Sequence, residues 1–266
     1  MTDKIKISVT MLVLLCAPLS IAEFDHSLWQ GLLQQHVNEF EGSRVTQLDY
    51  EAMQNDQLVL QSYLRALAAV SRVTFDSWTD DDQLAFLINA YNAGVVALIL
   101  TEYPDIDSIN DIGFLFSSPW RRNVISLFGE QVSLDDIEHG MIRGWDKYFE
   151  PRIHFAVNCA AIGCPALQSD AYVGDNLDNQ LEHSTRLFLA DRQRNYFSNG
   201  RFYVSRIFDW YEEDFDRGWF GVNSVSEFLT RYADALGLDT ATISALKRED
   251  VRIRYLQYDW GLNDTR

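Results

Sequence analysis

A thiol, an imidazole and a carboxylate in one short stretch are the working parts of a nucleophilic acyl-transfer site. Residues 133–165 hold all three, with His139, His154, Cys159 and Cys164 among acidic neighbours. Cys159 follows a segment expected to be a strand and precedes the small-residue turn Ala160-Ala161-Ile162-Gly163. A thiol at a strand end is exposed to a carbonyl, and backbone N–H groups of such a turn can receive an oxyanion. Cys159 is the better nucleophile candidate, because Pro165 after Cys164 has no N–H to give whereas Ala160 after Cys159 does. A second reading stays open: Cys159 and Cys164 close a short disulfide loop, natural outside the cytoplasm.

His139 ends the run Leu134-Asp135-Asp136-Ile137-Glu138-His139. On an α-helix Asp135 and Asp136 lie four and three residues before it on the same face, where a carboxylate fixes the tautomer of a general base. Glu138 projects elsewhere on such a helix and can orient His139 only through space. The plainer alternative is a surface histidine on an acidic helix. His154 faces core or cleft, either as a hydrogen-bonded structural residue or as part of the site. The four thiol and imidazole groups also suggest zinc, but H-x-x-x-x-C-x-x-x-x-C is wider than usual zinc pairs, so neither a metal nor another cofactor is expected. Asn89, Tyr91 and Asn92 interrupt the most apolar stretch of the chain. Buried amides are costly unless bonded, so they tie down backbone or orient a catalytic group.

These groups need elements to hold them. Helical spacing of apolar residues runs over Phe24 to Phe40, Tyr50 to Val70 and Gln83 to Tyr103, the last apolar almost all round and hence central. Residues 105–123 look irregular. Val124 to Val132 reads as two short strands about Gly129-Glu130, and Ser133 with Asp136 resembles a capping box opening a helix. Ile153 to Asn158 reads as a strand, Asn176 to Asp191 as a helix, Arg201 to Ile207 as a strand, Ser224 to Leu236 as a helix and Val251 to Tyr258 as a late strand. Without repeats or a linker-like stretch, this order describes one α+β domain with helices around a small, mostly antiparallel sheet.

The composition (47% hydrophobic, 13% aromatic) excludes disorder and fibrous repeats. With 39 acidic against 22 basic residues and no basic stripe, the chain repels a phosphate backbone, so nucleic acid is excluded as a partner. Lys4 and Lys6, the apolar run Ile7 to Ile21 and the small residues Ser20 and Ala22 form a signal-peptide pattern. Cleavage after Ala22 is expected, with an uncleaved anchor as the alternative. The mature domain, 23–266, would then carry no membrane span and lie in the periplasm or outside the cell. Removal of Asp3, Lys4 and Lys6 leaves 20 basic and 38 acidic residues, or −18. Leu15 before Cys16 is too large for a lipoprotein signal.

Six ordered segments carry a resemblance. They are Phe86-Leu87-Ile88-Asn89-Ala90-Tyr91-Asn92-Ala93, Ser133 to His139, Arg152 to Cys159, Gly163-Cys164-Pro165-Ala166-Leu167, Ile207 to Tyr211 with Asp214-Phe215, and Tyr258 to Asn263. Together, over about 49–263, they resemble the domain-of-unknown-function 547 family, with Gly261 standing where Ser is usual. The resemblance implies a fold that looks like papain and NlpC/P60 cysteine hydrolases in permuted chain order. It implies Cys159 or Cys164 as nucleophile, His139 as base, and Glu138, Asn89 or Asn92 as orienter, with Tyr91, His154 and Asn158 in the pocket. The expected function is an exported cysteine-dependent hydrolase or acyltransferase acting on an amide or ester bond of a peptide or cell-wall-like substrate. The competing class is a non-catalytic periplasmic binding module for a peptide, glycan or other protein, in which the Cys159–Cys164 disulfide or a zinc site is structural.

Overall fold

The computed structural model describes residues 23–40, 42, 44–113, 118–248 and 250–266. The expected signal segment, 1–22, lies outside the described residues. Helix α1 (Ser27–His36) stops before Phe40, and Val37–Phe40 forms strand β1 instead. Strand β2 (Val45–Leu48) pairs with it antiparallel, Val37 opposite Leu48 and Phe40 opposite Val45. Hairpin pairing of this segment with Val45–Leu48 outweighs its helical spacing. The expected helix Tyr50 to Val70 is two, α2 (Tyr50–Asn55) and α3 (Gln57–Ala68). The break falls at Asp56, whose carboxylate receives His36 Nε2 at 2.9 Å and Gln35 Nε2 at 3.0 Å from α1.

After α4 (Arg72–Asp76) comes the central helix α5 (Asp80–Ile99), three residues earlier at its start than Gln83. Thr79 caps it by accepting from Asp82 N–H, and Asp80 to Asp82 complement the positive end of the helix. By length and composition α5 could cross a membrane, but 89% of its apolar window is buried inside the domain, the place of a core helix. Strands β3 (Asn123–Leu127) and β4 (Glu130–Ser133) form the expected hairpin, with Phe128 (φ 57°) and Gly129 (φ 86°) both left-handed as a tight hairpin turn requires.

The Ser133–Asp136 box forms, with Ser133 N–H on Asp136 Oδ2 at 2.9 Å and Asp136 N–H on Ser133 Oγ at 3.1 Å. The turn that follows, Asp136–Ile142, is a π-helix rather than an α-helix. Arg143 N–H reaches back five residues to the Glu138 carbonyl at 2.9 Å, the mark of that wider turn. The expected strand Ile153 to Asn158 is also corrected: Pro151–Phe155 is a 3₁₀ turn, started by Pro151 and capped by the Glu150 side chain on Arg152 N–H. Alternation was misleading there because all five residues of the turn are buried.

Beyond α6 (Leu177–Ala190), strand β5 (Tyr196–Ser198) pairs antiparallel with β6 (Arg201–Val204). The strand ends short of Ile207, because Ser205 Oγ accepts from Ile207 N–H and α7 (Ile207–Trp210) begins. Helices α8 (Glu212–Phe215), α9 (Val225–Arg231) and α10 (Thr240–Lys247) follow; α9 leaves the rest of the expected Ser224 to Leu236 helix as turns. Strand β7 (Arg252–Tyr255) then lies parallel to β6. The chain is thus a single α+β domain, with the strands among the described residues in three small sheets rather than one.

Two apolar clusters make the core. One surrounds α5; the other joins Phe155, Phe188, Phe208, Phe215 and Phe228. The 3₁₀ turn spans them, with Ile153 in the first and Phe155 in the second, so His154 sits where they meet.

Candidate active site

At that junction lies a cavity of about 380 Å³ whose lining includes Tyr91, Glu138, His139, Arg143, His154, Cys159, Cys164 and Tyr211. The π turn brings Glu138 to its floor and His139 to its rim. Glu138 is only 4% exposed, and the Tyr91 and Tyr211 hydroxyls hydrogen-bond to it, while its Oε1 has no partner. His139 is exposed and its Nδ1 lies 2.9 Å from Arg143 Nη1. A guanidinium only donates, so Nδ1 accepts and the neutral ring carries its proton on Nε2. The expected carboxylate partners are engaged elsewhere: Asp135 with Arg121 at 3.3 Å, Asp136 with Ser133. His139 is therefore a donor at the rim, and Glu138 does not orient it.

The oriented imidazole is His154. Its Nε2 lies 2.7 Å from Asp214 Oδ2, the oxygen that also receives Arg143 Nε at 2.5 Å. Burial alone would push the Asp214 carboxyl up, but the hydrogen bonds from His154 and Arg143 outweigh it and hold it down to about 2. An ionised carboxylate accepts only, which places the His154 proton on Nε2. Burial lowers the His154 pKa against the pull of Asp214, so the ring is neutral and Nδ1 is a bare lone pair. That nitrogen is buried without a partner. The Tyr211 ring stacks on the imidazole, centroids 3.8 Å apart, and keeps it in plane.

Cys159 and Cys164 are joined as a disulfide, with Cα atoms 6.2 Å apart. Cys164 is buried and Cys159 half-buried. The Tyr258 hydroxyl lies 3.2 Å from each sulfur. Burial raises its pKa far above the usual phenol range, so it is a hydroxyl and a donor at any physiological pH. The oxyanion donor expected from Ala160 is spent: its N–H donates to Asn158 Oδ1 at 2.9 Å. Cys159 N–H likewise points at Cys164 Sγ, 2.9 Å away. The two histidines and two cysteines do not form a zinc site; among the described residues no group of three or more His, Cys, Asp or Glu is placed to hold a metal ion.

The buried amides hold backbone, and Asn89, Asn92 and Asn158 do not line the cavity. Asn89 pairs with the Tyr172 peptide in both directions, at 2.7 and 3.0 Å. Asn92 Nδ2 donates to the Ala156 carbonyl at 3.0 Å, and its Oδ1 accepts Asn158 N–H at 2.8 Å. Asn158 Nδ2 in turn donates to the Pro165 carbonyl at 2.7 Å. The loop carrying both cysteines is thereby tied to α5. From its other side the C-terminal segment docks on it, Ile162 N–H on the Gly261 carbonyl at 2.7 Å and Asn263 N–H on the Ala160 carbonyl at 3.0 Å. Gly163 is needed for that approach, since a Cβ there would lie 2.9 Å from the Asp259 carbonyl oxygen.

Docking of this segment aims Tyr258 and Trp260 into the cavity, where they meet Trp210 and Trp120. Of the expected site residues, the structure brings together Cys159, Cys164, His139, Glu138, His154 and Tyr91. It adds Asp214, Arg143, Tyr211 and Tyr258, which the sequence reading left without a role. Asp214, Tyr211 and Tyr258 lie inside the ordered segments quoted above, which was the only signal for them. No curated protein and no solved structure gives a match to this chain. Residues 75–189, from α4 through most of α6, match the model of the family described as "Protein of unknown function, DUF547".

Proposed function

We propose that the protein is an exported thiol-dependent hydrolase or acyltransferase acting on an amide or ester bond, with His154 as its base and the Cys159–Cys164 disulfide as its oxidised resting form. The observation that carries this reading is one cavity lined by both cysteines and a neutral imidazole, set by Asp214, whose Nδ1 has no hydrogen-bond partner. A dithiol reductant opens the disulfide and is itself oxidised. Cys159, the more exposed sulfur, gives its proton to His154 Nδ1, and the thiolate attacks the carbonyl carbon. The leaving amine or alcohol departs with the proton from His154. Water or an acceptor nucleophile then attacks the thioester, passes its proton to His154, and breaks the S–C bond to return the thiol. Tyr258, whose hydroxyl stays protonated, supplies the donor for the oxyanion that Ala160 cannot. The histidine still precedes the cysteine in the chain, as a permuted papain-like hydrolase requires. The signal-like pattern of residues 1–22 supports a periplasmic or secreted location, where such a disulfide persists.

Iodoacetamide labelling at pH 7 with peptide mapping tests the assignment. Neither sulfur should label before reduction. After it, Cys159 should label about 10-fold faster than Cys164, as a thiolate favoured by an imidazole does, and His154→Ala should remove the advantage while His139→Ala keeps it. Equal, slow labelling of both thiols would overturn the mechanism. The walls of Trp120, Trp210 and Trp260 would then favour the second reading, a disulfide-closed module that holds a peptide or glycan without chemistry.

A further inference from the structure

We propose that the cavity takes a substrate bearing a primary ammonium group and that Glu138 is the residue receiving it; this names the substrate class of the site proposed above and rests on reading that cavity as the substrate's. A carboxylate taken out of water needs charge or donors in return. Glu138 has two tyrosine hydroxyls, and its Oε1 is buried with nothing bonded to it. The one guanidinium in the cavity is already committed: Arg143 holds Asp214 at 2.5 Å, Glu213 at 2.6 Å and His139 Nδ1 at 2.9 Å. His154 is neutral, with its N–H turned to Asp214. Of the charged groups lining the cavity, the carboxylates of Glu138 and Glu213 thus share a single permanent cation, Arg143, which also serves Asp214.

The walls suit the same group. Trp210 lies 4.8 Å from Tyr258, Tyr258 4.6 Å from Trp260 and Trp260 6.0 Å from Trp120 between ring centroids, a continuous run of π faces. Such faces attract a cation. A neutral donor would give Glu138 Oε1 only an uncharged hydrogen bond and leave the carboxylate's charge uncompensated, and an anion would be repelled. A quaternary ammonium would satisfy the rings but has no N–H for the carboxylate. A primary ammonium does both, through a charge-assisted hydrogen bond to Oε1 and contact with the rings.

Intrinsic tryptophan fluorescence, titrated with hexylamine, hexanol and hexyltrimethylammonium at pH 7, reads this directly. The oxidised protein is used, so the outcome does not depend on a working thiol. Hexylamine should saturate at least about 10-fold tighter than either of the others, the scale of one hydrogen bond to a charged group. Glu138→Gln, which is isosteric, should abolish that preference and leave hexanol binding unchanged. If Glu138→Gln does not fold by circular dichroism, Trp260→Leu should weaken hexylamine more than hexanol. Equal affinities for the three probes, or a preference that survives Glu138→Gln or that Trp260→Leu leaves intact, would overturn the assignment. Slow thiol labelling with a positive titration would remove the acyl chemistry and leave the ammonium site; the converse would remove only the ammonium site.

Discussion

Asn92→Ala is expected to be among the most damaging small substitutions in the domain, and its cost follows from two bonds. Asn92 is 2% exposed and is the partner of both the Ala156 carbonyl, at 3.0 Å, and the Asn158 N–H, at 2.8 Å. Truncation leaves both peptide groups buried and unpaired. Each such group costs about 1–3 kcal/mol, so the pair costs about 2–6 kcal/mol, a large part of the ~5–15 kcal/mol that holds a domain together. With a urea slope of about 3 kcal/mol per molar, the midpoint should fall by about 0.7–2 M. Urea titration of the oxidised protein, followed by tryptophan fluorescence, gives that midpoint. Asn89→Ala breaks an equivalent clamp on the Tyr172 peptide and should lose a similar amount, but it leaves the cysteine loop in place. Only Asn92→Ala should therefore also speed reduction of the disulfide by dithiothreitol. A loss below about 1 kcal/mol with an unchanged slope would show that these peptides find other partners, and the reasoning would fail.

Acid should weaken the fold through His26, whose Nδ1 pairs with the Tyr63 hydroxyl at 2.7 Å and whose pKa burial lowers to about 4. The unfolded chain protonates this ring near pH 6.5 and the folded chain does not, so stability is full above 6.5, falls as the pH drops toward 4, and loses about 2 kcal/mol between pH 7 and 5. Urea midpoints at the two pH values measure the loss in wild type and in His26→Gln, and the variant should lose about 2 kcal/mol less, with buried His154 accounting for any remaining fall; equal losses in both proteins would refute the assignment. Gly174→Ala should destabilise by about 1–3 kcal/mol, because a Cβ there would stand 1.8 Å from Asp82 Oδ1 and 2.9 Å from its Cα. Gly31→Ala, inside α1 with nothing within 4 Å, should have the opposite sign and stabilise by about 0.5–1 kcal/mol, so thermal midpoints moving in the same direction would count against both.

Elements that bury themselves by local rules were legible in the sequence. Helix α5 is apolar on every side and carries its own cap and acidic first turn, and the β3–β4 hairpin carries a glycine at its turn. Elements decided by a partner outside the segment itself were not. Val37–Phe40 is a strand only because Val45–Leu48 lies beside it, and α2 parts from α3 where α1 places His36 on Asp56. The segment Ile153 to Asn158 misled for a related reason. Alternation signals a strand when one face meets water, and there His154 and Phe155 are both buried, on the border of two apolar clusters.

The site was legible as a set of residue types and illegible as a set of roles. Sequence spacing put two carboxylates beside His139, and that inference needed both to be free; Asp135 is held by Arg121 and Asp136 by Ser133, and His139 meets Arg143 instead. No spacing could pair His154 with Asp214, sixty positions away, because the pairing is made by the two core clusters meeting. A histidine's role then turns on which nitrogen is already spent. For His139 it is Nδ1, occupied by a donor that cannot accept, so the ring presents N–H to the cavity. For His154 it is Nε2, given to a carboxylate, so the ring presents a lone pair. Two imidazoles on one cavity are thus set as opposites, one with a donor and one with an acceptor nitrogen left unspent. The choice between them lies in a guanidinium and a carboxylate that touch each other, Arg143 and Asp214. Asp214→Asn would unsettle both assignments together, freeing Arg143 and the His154 tautomer at once, which is why the labelling test separates the two histidines by substituting them individually.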